Sequence, residues 1–178
     1  MDRIPAVLFI LLGLTCPLQG WGESGFGLES IGGRAGFSSN KRSEDFHQAE
    51  AFLDWATPWD WEIGRGWTER TRLECSVGWL GARGEDAAVL TLGPEVAFGY
   101  ERIPIWFDIG MSPTLITRQV IENTDFGTQV QFTSHVGVYW DVWAGVRLGY
   151  RFQHMSNGSM AYHNPGLNLH MFALSISF

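Results

Sequence analysis

The sequence predicts an all-β protein, an eight-stranded antiparallel up-and-down barrel that crosses a membrane on its strands. Three observations predict it. Aromatic and glycine content is high and charge is low, with 9 Trp, 12 Phe and 22 Gly among 178 residues of which 17% are charged. Apolar residues recur at every second position over stretches that reach the ~9–11 residues of a tilted strand crossing, and long helical periodicity is missing. The final stretch puts Phe172, Leu174, Ile176 and Phe178 on one face and closes on that last aromatic. A soluble barrel or sandwich of lipocalin type is the competing architecture, and it would usually continue past its last strand.

Taken in chain order, residues 1–22 read as a cleaved signal peptide. Arg3 precedes the apolar run 6–14, then come Pro17 and small residues at Gly20 and Gly22. Thr15 before Cys16 is a poor match to a lipoprotein site. Residues 23–178 are then the barrel, one domain with no room for a second sizeable core. No later apolar run approaches the ~20 residues of a spanning helix. The net charge of −7 argues against nucleic acid as a partner. Cys75 alone remains after signal removal, so no intrachain disulfide forms.

Alternation places eight strands near residues 25–37, 46–56, 67–80, 89–100, 103–115, 130–141, 142–156 and 168–178. Between the second and third, Pro58 and the run Trp59-Asp60-Trp61 crowd what reads as a turn. Glycines 25, 27, 32, 33 and 36 follow no dinucleotide fingerprint and read as room for close packing in a narrow barrel. Most tryptophans read as interfacial girdle or barrel packing. Eight strands leave a lumen filled by side chains, which suits the inward parity of Asp141, Arg147, Arg151 and Gln153 and counts against a porin. An even strand count with both ends on the periplasmic side makes the seventh strand finish outside, before an extracellular loop at 158–166.

The seventh strand carries the chemistry. Val142, Ala144, Val146, Leu148, Tyr150 and Phe152 share a face with His154 and Ser156, so a base and a hydroxyl end an oily stripe. A serine becomes a nucleophile when a neighbouring, oriented histidine takes its proton. The parity of Phe178 turns Asn168 and His170 to lipid as well, and a hairpin of the last two strands brings them beside His154. Asn157 and Gly158 follow at the strand's end, where backbone N–H groups and an amide can face an oxyanion. The chemistry suggested is acyl transfer to water. The bland reading is interfacial polarity on a non-catalytic barrel with a structural, adhesion or binding role.

His154-Met155-Ser156-Asn157-Gly158, Asn164-Pro165-Gly166-Leu167-Asn168 and the short final strand to Phe178 together resemble the lipid A 3-O-deacylase family of outer-membrane enzymes, PagL type. The resemblance is densest over residues 149–178. It implies an eight-stranded barrel in a Gram-negative outer membrane that hydrolyses the ester-linked 3-hydroxyacyl chain at position 3 of lipid A in lipopolysaccharide, with no metal or cofactor. Carried across, Ser156 is the nucleophile and His154 the general base, Asn157 and Gly158 contribute to the oxyanion hole, and Asn164 matches a family asparagine. Lipid A and membrane lipid are the implied partners, and a homodimer stays open.

One position departs from the family pattern, a glutamate where this chain has Asn168. An amide still accepts the imidazole N–H and sets its tautomer, but it offers no negative charge to an imidazolium, so a slower enzyme is expected. Glu122 or Asp125 from the preceding loop, or His170, are the other groups that could assist. His47 and His135 stand isolated in the sequence, without metal-ligand spacing.

Overall fold

Strands that alternate apolar and polar residues are stable in lipid only when every backbone group is paired and no edge stays open. Closure meets both demands. A computed structural model, which describes residues 25–39, 45–100 and 102–178, contains β1 (Gly27–Ser38), β2 (His47–Gly64), β3 (Trp67–Ala82), β4 (Glu85–Tyr100) and β5 (Ile103–Ile116). A small loop hairpin follows, β6 (Val120–Ile121) with β7 (Thr124–Asp125), then β8 (Val130–Trp143), β9 (Val146–Ser156) and β10 (Leu167–Ser177). The eight long strands form one closed barrel in which β1 pairs with β10, and every pairing is antiparallel. The expected signal peptide lies outside the described residues.

Three local expectations are corrected. The crowded stretch after residue 56 does not reverse the chain: β2 runs on to Gly64, with an irregularity between Ala56 and Asp60. Pro58 has no N–H to give the ladder, which interrupts pairing without turning the strand. Reversal waits for Gly64, Arg65 and Gly66, all in the left-handed region. The seventh barrel strand begins at Val146, because Ala144 and Gly145 (φ 81°) form the turn after Trp143. The loop between the fifth and sixth barrel strands holds the hairpin β6–β7, too short to register as alternation.

Turns are short at one end of the barrel, between β2 and β3, β4 and β5, and β8 and β9, while the loop after β9 is long. Trp59, Trp61, Trp67, Trp140 and Trp143 stand exposed near the short-turn end as an aromatic girdle. In membrane barrels long loops mark the extracellular end, and His154 and Ser156 lie at the long-loop end of this one.

The lumen has two layers. In the charged one, Arg34 and Arg151 both clasp Glu74, at 2.6–2.7 Å and 2.9 Å, and Arg151 also reaches Glu95 at 2.8 Å. Paired this way, the charges stay buried; removing one partner of such a pair costs about 3–5 kcal/mol. Toward the long loops the filling turns apolar, with Phe46, Leu80, Ile121, Phe126, Met155 and Leu169 in one buried cluster. The lumen expected to be polar is therefore capped by a hydrophobic plug under the loops.

Candidate active site

Period two along β9 divides its end into two faces. Arg151, Gln153 and Met155 are buried in the lumen, while His154 is exposed and Ser156 half-buried on the outer wall. Register then supplies the neighbours: Asn168 of β10 lies directly opposite His154 on one side and Ser134 of β8 on the other. The Nδ1–H of His154 donates to Asn168 Oδ1 at 2.7 Å. An amide oxygen only accepts, so this bond places the proton on Nδ1 and leaves the Nε2 lone pair as the basic end of the ring. Gly166 supports the imidazole from the loop side. Its φ is +62°, and a Cβ there would stand 2.9 Å from His154 Cε1, so the ring rests against bare backbone. The Ser156 hydroxyl, two residues along the same face, has no hydrogen bond to another described residue.

The next residue points the other way. Asn157 is fully buried, and its Nδ2 donates to the carbonyl oxygens of Phe126 (2.9 Å) and His163 (2.6 Å) while Oδ1 accepts from Ser159 N. Its own N–H donates to Asn164 Oδ1 at 3.1 Å. The donors expected at Asn157 for an oxyanion are thus engaged in joining two loops. Gly158, at φ +60°, begins the loop against the Phe132 ring, and Asn164 is exposed with its Oδ1 turned to Asn157.

The groups named as possible helpers have other partners. His170 Nδ1 lies 2.7 Å from Tyr150 OH, and its ring packs with Phe37 and Phe152. Asp125 accepts from Gln119 Nε2 and Gly127 N, which hold its carboxyl below the usual range, the Gly127 bond contributing most. Glu122 sits at φ +51° with its N–H donated to Glu85.

Beside His154 the outer wall is hollowed. A groove of about 580 Å³ runs over β4, β5, β8 and β9, lined by Pro94, Val96, Ile109, Met111, Val136 and Phe152, with Ser134, His135 and His154 as polar members. Its origin is in the backbone: Pro94 lacks an N–H, and the β4–β5 ladder has a gap between the pairs Thr91–Thr114 and Glu95–Gly110.

The model of the family described as lipid A 3-O-deacylase (PagL) matches residues 47–177. The chain belongs to that family. Among solved structures, the outer membrane enzyme PagL superposes with a TM-score of 0.73 at 14% identity, over 84% of this chain and 99% of that one. Neisserial surface protein A (NspA) superposes with a TM-score of 0.52 at 15% identity, over 89% and 100%. At these identities the likeness establishes the fold alone, a closed antiparallel β-barrel. No curated protein sequence matches the chain.

The structure brings His154 and Asn168 into contact, sets Ser156 two residues along from His154 on the same face, and leaves His170 with Tyr150. Sequence reasoning missed the support from Gly166 and the whole groove. Gly166 had a local signal, an Asn-Pro-Gly turn. The groove had a weaker one, a proline inside a strand pattern, which marks a break in a ladder but not what lies beside it.

Proposed function

We propose that this member of the family is an outer-membrane esterase that hydrolyses the 3-hydroxyacyl ester at position 3 of lipid A, with Ser156 as nucleophile, His154 as general base and Asn168 as the group that orients it. The observation that carries this reading is the 2.7 Å bond from His154 Nδ1 to Asn168, made on the lipid-facing wall beside an apolar groove. A polar pair oriented in that way has little use to a barrel that only spans the membrane.

The acyl chain lies in the groove and its ester carbonyl meets the outer rim at Ser156. Nε2 of His154 takes the Ser156 proton as Oγ attacks, and the resulting oxyanion is met by backbone N–H at Gly158 and by the Asn164 amide, whose Oδ1 is held by Asn157 N–H so that Nδ2 is the end left to donate. The imidazolium returns its proton to the departing sugar oxygen. Water, activated by the same Nε2, then releases the 3-hydroxy fatty acid from Ser156. Asn168 keeps the ring in the productive tautomer without countercharge, which predicts a slower turnover than a carboxylate would allow.

Mass spectrometry of lipid A incubated with the refolded barrel tests the reading, with wild type beside Ser156→Ala. Loss of one 3-hydroxyacyl mass with wild type alone is the expected result. Loss with both proteins removes Ser156 from its role. No loss with either, in the presence of a folded barrel, favours the non-catalytic alternative, for which the neutral Asn168 is the motivating observation.

A further inference from the structure

The lumen holds a second constellation, on the opposite side of the wall from the esterase pair. Glu95 of β4, Asp108 of β5 and His135 of β8 are all buried, and each offers one ligand atom so that the three lie within 4.8 Å of one another. Two glycines make the meeting possible. Gly110 stands between Glu95 and His135 in register, and a Cβ there would come within 2.4 Å of His135 Cε1. Gly137 stands beside Asp108, and a Cβ there would come within 2.5 Å of Oδ1. Side chains on strands one apart reach each other across the bare strand between.

What these groups lack is as telling as where they sit. Asp108 is 4% exposed, yet neither carboxylate oxygen has a hydrogen bond, and His135 Nε2, in a residue 5% exposed, has none either. Arg34, Arg72 and Arg151 serve Glu50, Glu74 and Glu95, while no guanidinium forms an ion pair with Asp108 among the described residues. A buried carboxylate with no hydrogen bond, and with an imidazole at 3.6 Å in place of a guanidinium, is costly to keep charged, and a bound cation is one way to do so. The spacing suits one. Donors ~2.0–2.1 Å from a tetrahedral zinc ion lie about 3.3 Å apart, and His135 Nε2 is 3.3 Å from Glu95 Oε2 and 3.6 Å from Asp108 Oδ1.

We propose that Glu95, Asp108 and His135 form a lumenal site for one divalent transition-metal ion of zinc type, which ties β4, β5 and β8 together behind the groove. One imidazole and two carboxylates are a donor set that zinc accepts, with a fourth position left for water. The second oxygen of Asp108 would then have the metal's charge beside it, and Glu95 would be shared between the ion and Arg151, its partner at 2.8 Å. The site is structural: the chemistry proposed for Ser156 routes no step through it.

The test uses the full barrel refolded in detergent with zinc ion as the probe, freed of loose metal by a brief chelator wash and desalting. Elemental analysis should find about one zinc per folded chain in wild type and less than about a tenth of that in Asp108→Asn and His135→Gln. Zinc should raise the melting temperature of wild type alone. Should the variants fail to fold, X-ray absorption on wild type decides, with one nitrogen and otherwise oxygen ligands at ~2.0–2.2 Å expected. Folded wild type that keeps no zinc overturns the site. So does zinc kept equally by Asp108→Asn, or an absorption spectrum with more than one histidine, since either places the ion outside the lumenal site, on exposed histidines such as His47, His154 or His163.

Discussion

The two faces of β9 are built from the same eleven residues and obey opposite rules. Inside, Arg151 gives four hydrogen bonds to Glu74, Glu95 and Tyr139, and Asn157 at the strand's exit is committed to two loops. Outside, His154 makes a single side-chain bond, to Asn168, and Ser156 makes none among the described residues. The inner face is over-determined because any unpaired charge in a closed lumen is costly. The outer face leaves the atoms proposed to react uncommitted, as a nucleophile and a base require before substrate arrives. On the proposed function, stability and activity are separated by one residue of parity, and mutations on alternate positions should separate them too.

The largest effect is expected at Ser156. Ser156→Ala should lower deacylation by about 10³-fold or more while leaving the heat-resistant folded form unchanged on a gel. A variant that unfolds would break the contrast between the faces. On the inner side, Arg151→Met should cost about 3–5 kcal/mol in urea unfolding, because Glu74 and Glu95 lose a shared counterion. Its activity, measured on whatever fraction folds, should stay within about threefold of wild type.

Gly166→Ala tests the support beneath the imidazole. The added methyl meets His154 Cε1 at 2.9 Å at a residue with φ +62°. A fall of about 10²-fold in kcat with a smaller change in KM is expected, since a displaced base costs rate more than binding. A normal kcat would show that the ring tolerates the shift. Asn168→Glu should raise kcat by about tenfold and Asn168→Leu should lower it, because a carboxylate strengthens the bond to the imidazole where Leu removes it. Unchanged kcat in Asn168→Glu would mean that tautomer control is all this position supplies. The smallest effect belongs to the groove. Met111→Trp should raise KM for long acyl chains by about three- to tenfold and leave short-chain esters nearly unaffected, as a few methylenes are worth ~1–3 kcal/mol.

Much of the fold was legible because lipid enforces a simple code. Phe172, Leu174 and Ile176 had to share a face with lipid, and that parity carried Asn168 and His170 to the same side without knowledge of any contact. Where the code fell silent, a backbone detail was responsible. Pro58 read as a turn because its missing N–H signals a break, and whether the break bends or reverses the chain depends on the partner strand. Asn157 read as an oxyanion donor because it follows Ser156, although the same parity argument that turned Ser156 outward turns Asn157 in.

By itself the sequence determined the barrel, the outward set Tyr150, Phe152, His154 and Ser156, and the family-like final hairpin, because alternation and short motifs are local properties. Only the tertiary structure decided who meets whom. The register of β9 against β10 pairs His154 with Asn168, the loop puts Gly166 under the imidazole, and the closure of β4, β5 and β8 gathers Glu95, Asp108 and His135, residues scattered over forty positions of chain. The reason is physical. A strand's face follows from period two within one segment, whereas contacts across strands depend on register, on the glycines between them and on the closing of the barrel, none of which a single segment encodes.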